Sequence, residues 1–201
     1  MRKFICLPLL ILLVYIGCKK NSSPNPFPPL PPSSFTTFTI PEGEHYPIGY
    51  DSTRINVFIG THQHFRVIFD SSAIYTTVLD SNQTDVNKLY GFSDNLASHH
   101  AFSARIGWEW SDNALRLYSY VYNDSIRSFK QIAIVPIGKE IDCDIAVDTA
   151  HKQYLFSING KTTSMPRTAS SPKIFGYKLF PYFGGDEPAP HKVTIKVAEI
   201  P

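Results

Sequence analysis

One continuous stretch, residues 99–122, constrains the fold of this chain because two chemically different faces alternate along it. Between Phe102 and Trp110, every second side chain is apolar or small, and the positions between them hold Ser103, Arg105, Gly107 and Glu109. Such period-two alternation is typical of a half-buried β-strand. Residues 111–114 are of the types that form turns, and the strand after them alternates again. The stretch therefore predicts a β-hairpin with one core face and one polar face.

A turn centred on Asp112 and Asn113 determines which residues of this hairpin face each other. The predicted pairs on the polar face are Glu109 with Arg116, Gly107 with Tyr118, Arg105 with Tyr120 and Ser103 with Tyr122. A second turn, centred on Asp124 and Ser125, adds a third strand to the same face. Its predicted pairs are Arg127 with Tyr122, Phe129 with Tyr120 and Gln131 with Tyr118. The polar aromatic face is thus expected to span at least three strands.

The remainder of residues 35–201 reads as further short strands, about eleven in all, without a helix longer than one turn. One of these strands is predicted at residues 73–78. Asn159-Gly160, between two alternating segments, is a strong hairpin signal. The predicted core includes Trp108, Trp110, Leu115, Leu117, Phe156, Ile195 and Val197. Many short strands with regular turns predict an all-β fold, an antiparallel β-sandwich. At fold level the pattern resembles the jelly-roll and concanavalin-like sandwiches.

The first 34 residues predict export and anchoring rather than folded structure. Residues 1–17 combine a basic start, a short apolar run and Gly17 directly before Cys18, which is typical of a signal peptide. With that cysteine it resembles a bacterial lipoprotein signal, and the resemblance implies cleavage before Cys18 and lipidation of its thiol. An ordinary signal peptide with an incidental cysteine is the alternative. Residues 18–34 are rich in proline and predict an extended linker.

The predicted organisation is therefore a signal peptide at 1–17, a lipidated cysteine and linker at 18–34, and a β-sandwich domain at 35–201. The whole is similar to uncharacterised single-domain lipoproteins of Gram-negative bacteria, a resemblance that implies no activity. Lys19 after the cysteine, by the same resemblance, implies the outer membrane. Cleavage after Gly17 removes Arg2 and Lys3 and leaves a formally neutral chain, so no nucleic-acid partner is predicted. Cys143 alternates in phase with isoleucines and is predicted to be a buried structural thiol.

The polar aromatic face is the predicted binding surface. Its candidate ligand-binding residues are Arg105, Glu109, Arg116, Tyr118, Tyr120, Tyr122 and Gln131. Tyrosine rings stack on the apolar faces of sugar rings, and a guanidinium holds a uronate carboxylate by two parallel hydrogen bonds. The face therefore predicts carbohydrate binding. A structural or protein-interaction domain of the cell envelope is the first alternative, since tyrosines are common on strands and Glu109–Arg116 is an ordinary cross-strand pair. A polysaccharide lyase is the second.

Other chemistry is less well supported by the sequence. His99 and His100, if they continue a strand, point to opposite sides and make a poor metal pair. Residues 80–85 offer oxygen ligands for calcium, but the loop lacks the glycine and distal glutamate of a calcium loop. A turn stabilised by its own side chains is the preferred interpretation, with structural calcium as the alternative. No nucleophile or metalloprotease motif is present, so neither a catalytic residue nor a cofactor is predicted.

Overall fold

The structure is a computed structural model that describes residues 34–50, 53 and 55–201. The predicted signal peptide, Cys18 and the linker up to residue 33 lie outside these residues. The described strands are β1 (Thr36–Ile40), β2 (Val57–Gly60), β3 (His62–Phe69), β4 (Asn87–Ser93), β5 (Phe102–Ser111), β6 (Ala114–Asn123), β7 (Ile126–Val135), β8 (Glu140–Asp148), β9 (Gln153–Ile158), β10 (Lys161–Pro166), β11 (Ile174–Leu179) and β12 (Val193–Ile200). Two single turns of 3-10 helix, Ser71–Ala73 and Asp80–Asn82, are the helical segments of this part. None of its helices is long and apolar enough to cross a membrane.

The strands form two antiparallel sheets of six strands each. The first sheet has the order β1-β12-β3-β8-β9-β10, and the second has the order β2-β11-β4-β5-β6-β7. Early strands alternate between the sheets, as the chain passes from β1 to β2, back to β3 and then to β4. The predicted all-β antiparallel sandwich is therefore confirmed, with the sheet-to-sheet crossings of a jelly roll.

The predicted pairs between β5, β6 and β7 of the second sheet are all confirmed, and β6 and β7 shift in register between Leu117 and Tyr118. Every predicted pair between β5 and β6 is present, including Arg105 with Tyr120 and Gly107 with Tyr118. The three predicted pairs between β6 and β7 are present as well. Asp112, Asn113, Asp124 and Ser125 all have positive φ, between 49° and 65°, which is the backbone of a two-residue type I′ hairpin turn. These turns fix the register because they leave no freedom for a one-residue slip.

Trp108 lies at the centre of the core between the sheets. Its ring is fully buried and packs against Phe69 and, edge to face, against Tyr75 and Phe183. Cys143 is buried as predicted, and burial raises the pKa of its thiol well above the ordinary value. Trp110, in contrast, packs against the core but is only partly buried, so it lies at the edge of the predicted core and not in its interior.

The strand predicted at residues 73–78 is also wrong. The Asp70 side chain accepts a hydrogen bond from the Ser72 backbone N–H and starts a 3-10 turn there. Further along, side chains rather than a neighbouring strand accept the backbone N–H bonds: Gln83 accepts from Thr77, and Glu187 accepts from Val78 and Leu79. Side-chain acceptors, of which Glu187 comes from a distant segment, therefore replace the ladder that the apolar pattern predicts.

Candidate functional site

A cleft of about 420 Å³ lies on the outer face of the second sheet. Arg105 from β5, Tyr120 from β6 and Tyr177 from β11 contribute to its lining from the sheet itself. Two loops, residues 45–50 and 180–186, line it from the side. The described residues that line the cleft include Lys88, Arg105, Arg127 and Lys178 but only one carboxylate, that of Asp186. The cleft therefore carries an excess of positive charge.

Glycines let the strands that carry this cleft come close together. A Cβ atom on Gly91 would lie 2.1 Å from the Ala104 carbonyl oxygen, so only glycine allows β4 to approach its neighbour β5 this closely. Gly107, two residues after Arg105, leaves space that Val86 fills, since a Cβ there would lie 2.4 Å from a Val86 methyl carbon. Val86 covers one part of the outer face and leaves the cleft open beside it.

Arg105 is the central cation of the cleft. Only 8% of its surface is exposed, and it makes no hydrogen bond or ion pair with any residue that the structure describes. Four tyrosines line the same cleft and influence Arg105 electrostatically: Tyr120, Tyr177, Tyr122 and Tyr46. Burial lowers the pKa of its guanidinium to about 10, so the group is still charged at neutral pH. A buried guanidinium with no anion beside it has lost most of its water and gains most from an incoming carboxylate.

Lys88 is the second cation of the cleft. Its ammonium group lies 5.4 Å from the centre of the Tyr120 ring and 5.5 Å from that of Tyr182, and it donates a hydrogen bond of 2.9 Å to the Gly184 carbonyl oxygen. Burial, and then the charges of Arg105 and Arg127, lower the pKa of Lys88 to about 8. Its charge therefore changes close to neutral pH.

His99 and His100 lie in a turn before β5 and not in a strand, which corrects the expectation that they point to opposite sides. Their ring centres are 4.2 Å apart, and both rings line the cleft. The Tyr177 hydroxyl accepts the His99 backbone N–H at 3.1 Å and lies 2.9 Å from the His99 Nδ1. The hydroxyl is therefore free to donate its own proton to Nδ1. Burial, and then the nearby charges of Arg105 and His100, lower the pKa of His99 to about 4, so its ring is neutral.

The side wall is held by a short aromatic stack. The His45 ring lies parallel to the Tyr182 ring at 5.1 Å, and the Tyr46 ring meets Tyr182 edge to face at 4.9 Å. The His45 Nδ1 donates to the Phe183 carbonyl oxygen at 2.7 Å, and the Phe183 backbone N–H donates to the His45 carbonyl oxygen. The two loops of the wall are thus joined to each other beside the cleft.

The remaining predicted site residues form a separate group, which we call the Glu109 cluster: Glu109, Ser111, Asp112, Arg116, Tyr118 and Gln131. Glu109 is buried and accepts hydrogen bonds from the hydroxyls of Tyr118 at 2.7 Å and Ser111 at 2.8 Å. Arg116 faces Glu109 in register, but its guanidinium pairs with Asp112 at 2.9 Å and donates to Gln131 at 3.2 Å. Glu109 and Arg116 are therefore a cross-strand pair in the predicted register, but their side chains bond to other residues.

The structure thus divides the predicted site residues between two places. Arg105, Tyr120 and Tyr122 line the cleft, whereas Glu109, Arg116, Tyr118 and Gln131 bond mainly to one another. Four residues that reach the cleft from distant segments are not predicted by the sequence pattern: Tyr46, Lys88, Tyr177 and Tyr182. Lys88 lies on the polar face because β4 pairs it directly with Gly107, a pairing that no local sequence pattern indicates. No local pattern reveals the two loops.

The loop considered for calcium is a turn in the structure. Residues 80–82 form a 3-10 turn, and the Asn82 side chain donates to a Glu187 carboxylate oxygen at 2.8 Å. Hydrogen bonds to that carboxylate, chiefly from the backbone of Leu79 and Val78, lower the pKa of Glu187. Within residues 34–50, 53 and 55–201, no three His, Cys, Asp or Glu side chains are grouped so as to hold a metal ion.

No protein-family model matches this sequence, and no curated protein matches it by sequence. Among solved structures, an alginate lyase from Pseudomonas aeruginosa is 13% identical with a TM-score of 0.49, over 69% of this chain and 62% of that one. The alginate lyase A1-II′ of polysaccharide lyase family 7 is 12% identical with a TM-score of 0.48, over 82% of this chain and 79% of that one. A sialidase is 13% identical with a TM-score of 0.42, over 71% of this chain and 13% of that one. This chain spans less than two thirds of the first of these proteins. The likeness concerns the β-sandwich fold alone.

Proposed function

We propose that the cleft binds a saccharide that carries a carboxylate, such as a uronic acid residue of a polysaccharide. The observation that supports this most strongly is Arg105, a buried guanidinium without a hydrogen-bonding partner among the described residues, in a cleft lined with tyrosines. A carboxylate accepts two parallel hydrogen bonds from a guanidinium, and charge-assisted bonds of this kind are about twice as strong as neutral ones. Because Arg105 is already desolvated, a bound carboxylate replaces little water around it.

The tyrosines around Arg105 favour a sugar over a simple anion. A sugar ring has apolar C–H faces that pack on aromatic rings and hydroxyl groups that bond to phenols. Tyr120 and Tyr122 supply such rings, with their centres 5.9 Å apart, and Tyr122 is only partly buried. The Tyr46 and Tyr177 side chains add hydroxyl groups from the other side of the cleft.

The proposal includes the location of the protein. The resemblance of residues 1–18 to a lipoprotein signal supports anchoring through lipid on Cys18, in the outer membrane of a Gram-negative cell. In that setting the linker at 18–34 would hold the domain away from the lipid surface, where envelope or environmental polysaccharides are within reach. Mass spectrometry of the mature N-terminus tests this part: a diacylglyceryl group on Cys18 supports it, and an intact Met1 contradicts it.

A second candidate function, polysaccharide lyase, is favoured by the bond between Tyr177 and His99. In a β-elimination a base removes the proton from C5 of a uronate. The C4–O4 bond then breaks, the departing O4 takes a proton from an acid, and C4 and C5 become doubly bonded. Tyr177 and His99 form a proton-sharing pair in the same cleft as Arg105, which would neutralise the carboxylate. A structural or protein-interaction role is the remaining alternative.

A glycan array that contains acidic and neutral polysaccharides separates these functions. We expect retention of acidic glycans, and loss of that retention in Tyr122→Ala. Tyr122 is a better choice than Tyr120, because Tyr120 is 3% exposed and packs with Val86, so its removal would also affect folding. A lyase would in addition generate ultraviolet absorbance from the unsaturated uronate, and Tyr177→Phe would abolish it. Retention of no glycan, with capture of an envelope protein instead, would contradict the proposal.

A further inference from the structure

The aromatic lining of the cleft continues beyond the cleft onto β7, the last strand of the second sheet. Phe129 lies there on the outer face, directly opposite Tyr120 in the register. Its ring is parallel to the Tyr120 ring within 10°, with the two centres 6.0 Å apart, and it meets Tyr118 edge to face. The aromatic surface therefore extends from the cleft by one strand.

Phe129 is exposed although it is a large aromatic residue. The exposed fraction is 46% for Phe129, compared with 3% for its neighbour Tyr120. It does not belong to the core between the sheets, and removing it from water would be favourable. About half of the ring is open to water, and a ligand that covers it would bury this apolar surface.

Polar side chains flank the exposed Phe129 ring along its strand, one before it and one after it. Arg127 and Gln131 occupy the same face two positions before and after Phe129, and the Arg127 guanidinium lies 5.9 Å from the Phe129 ring centre. Arg127 also lines the cleft. The Gln131 side chain accepts from Arg116 through its oxygen, and its amide N–H groups donate to no residue that the structure describes. An aromatic ring between a guanidinium and an amide is suited to the apolar face, carboxylate and hydroxyls of one sugar unit.

We infer that Phe129, Arg127 and Gln131 form a second sugar position, and that the ligand is a chain of acidic sugar units running from the cleft across β7. This inference rests on the proposed function, because it places the next unit of the same saccharide. Antiparallel strands lie about 4.8 Å apart, so one step from β6 to β7 moves the chain about that far along the face. The edge position of β7 leaves the far end of the chain unobstructed within the described part of the molecule.

The test is the dependence of affinity on chain length. Oligogalacturonates of one to six residues are titrated calorimetrically into the wild-type domain and into Phe129→Ala. For the wild type we expect affinity to rise with length from one unit to at least three. Phe129→Ala should lose about tenfold for the long oligomers, as expected for one aromatic contact, and less than about twofold for the single unit. Phe129→Tyr, which keeps the ring, should retain the length dependence.

Ile134→Ala is the matched control, because Ile134 is an exposed apolar residue of the same strand with a similar exposed fraction, 54%. It should change neither the affinity nor the length dependence, and both it and Phe129→Tyr should melt at the wild-type temperature. Phe129→Ala loses its ring contacts with Tyr118 and Tyr120 and should melt slightly lower, while its circular dichroism spectrum remains that of the folded domain. Equal affinity of the wild type for all lengths, or an equal loss for short and long oligomers in Phe129→Ala, would overturn the second position while leaving the cleft proposal intact. If no oligomer binds the wild type, the proposed function fails and this inference fails with it.

Discussion

The cleft and the Glu109 cluster lie on the same face of the same sheet and are built from the same residue types. They differ in whether their arginine side chains have hydrogen-bond partners. In the cluster, Tyr118 donates to Glu109, and Arg116 bonds to Asp112 and Gln131. In the cleft, Arg105 has no such partner among the described residues. A satisfied arginine contributes to the fold, whereas an unsatisfied buried one is available to a ligand. Hydrogen-bond state, rather than residue type, therefore distinguishes a binding surface from a structural one.

The difference arises from segments far from the hairpin in sequence. Val86 reaches over Gly107 and packs with Tyr118, which closes the face above the Glu109 cluster. The loops at 45–50 and 180–186 rise beside Arg105 without covering it and form the wall of the cleft. Removing matched side chains, one from each region, tests whether this contrast has functional meaning.

The largest expected effect comes from removing the two arginines separately. Arg105→Met should weaken the binding of a trigalacturonate by about 100-fold, because a charge-assisted bidentate contact of about 2–3 kcal/mol is lost. Arg116→Met should change that affinity by less than about twofold, since its bonds go to Asp112, Ser111 and Gln131. Isothermal titration calorimetry measures both. Equal losses in the two variants would show that the two regions do not differ.

Tyr118→Phe tests the structural role of the Glu109 cluster. It removes a donor to the buried Glu109 carboxylate and should lower the free energy of unfolding by about 1–3 kcal/mol. The affinity for trigalacturonate should be unchanged. Tyr122→Phe, in the cleft, should show the reverse: weaker binding, and an unfolding free energy within about 0.5 kcal/mol of the wild type. Urea denaturation together with calorimetry separates the two outcomes. A Tyr118→Phe protein of wild-type stability that no longer binds trigalacturonate would contradict the assignment of a structural role to Tyr118 in the Glu109 cluster.

A smaller effect is expected from pH. The pKa of Lys88 is lowered to about 8, so its ammonium is charged below pH 8 and neutral above it. Anion affinity should therefore be highest between about pH 5 and 7 and fall by about tenfold as the pH rises through 8 and above, since Arg105 keeps its charge there. A bound carboxylate favours the charged ammonium and moves the midpoint upward.

Lys88→Met is the control for this pH dependence. It should bind more weakly at pH 6, and its affinity should not change between pH 6 and 9. The facing charges, Asp85, Arg105 and Arg127, are retained in this variant, so a residual step between these pH values would assign the titration to another group.

Sequence reasoning predicted the sheet in detail and the cleft only in part, for a physical reason. Period-two alternation and two-residue turns determine register locally, which is why Arg105, Tyr120 and Phe129 are found where they were expected. The burial and the hydrogen-bond partners of side chains on the outer face depend on the segments that pack over that face. Nothing near Gly107 in sequence indicates that Val86 covers it.

The errors have the same origin. Residues 73–78 have a strand-like pattern, but Gln83 and Glu187 take their backbone donors. His99 and His100 were placed on opposite sides of a strand, whereas the chain turns at these residues and directs both rings into the cleft. In both places a tertiary contact overrides the local pattern.

The most direct test of the central claim compares two ligands with the same sugar rings, one with charged carboxylates and one with neutral methyl esters. Trigalacturonate and its fully methyl-esterified form have the same sugar rings, but only the first carries carboxylates that Arg105 can bind. At pH 6 and low ionic strength, calorimetry of the wild-type domain should show binding of the acid and at least tenfold weaker binding of the ester. Equal affinity for the two, or binding of neither, would contradict the claim that the cleft recognises an acidic saccharide.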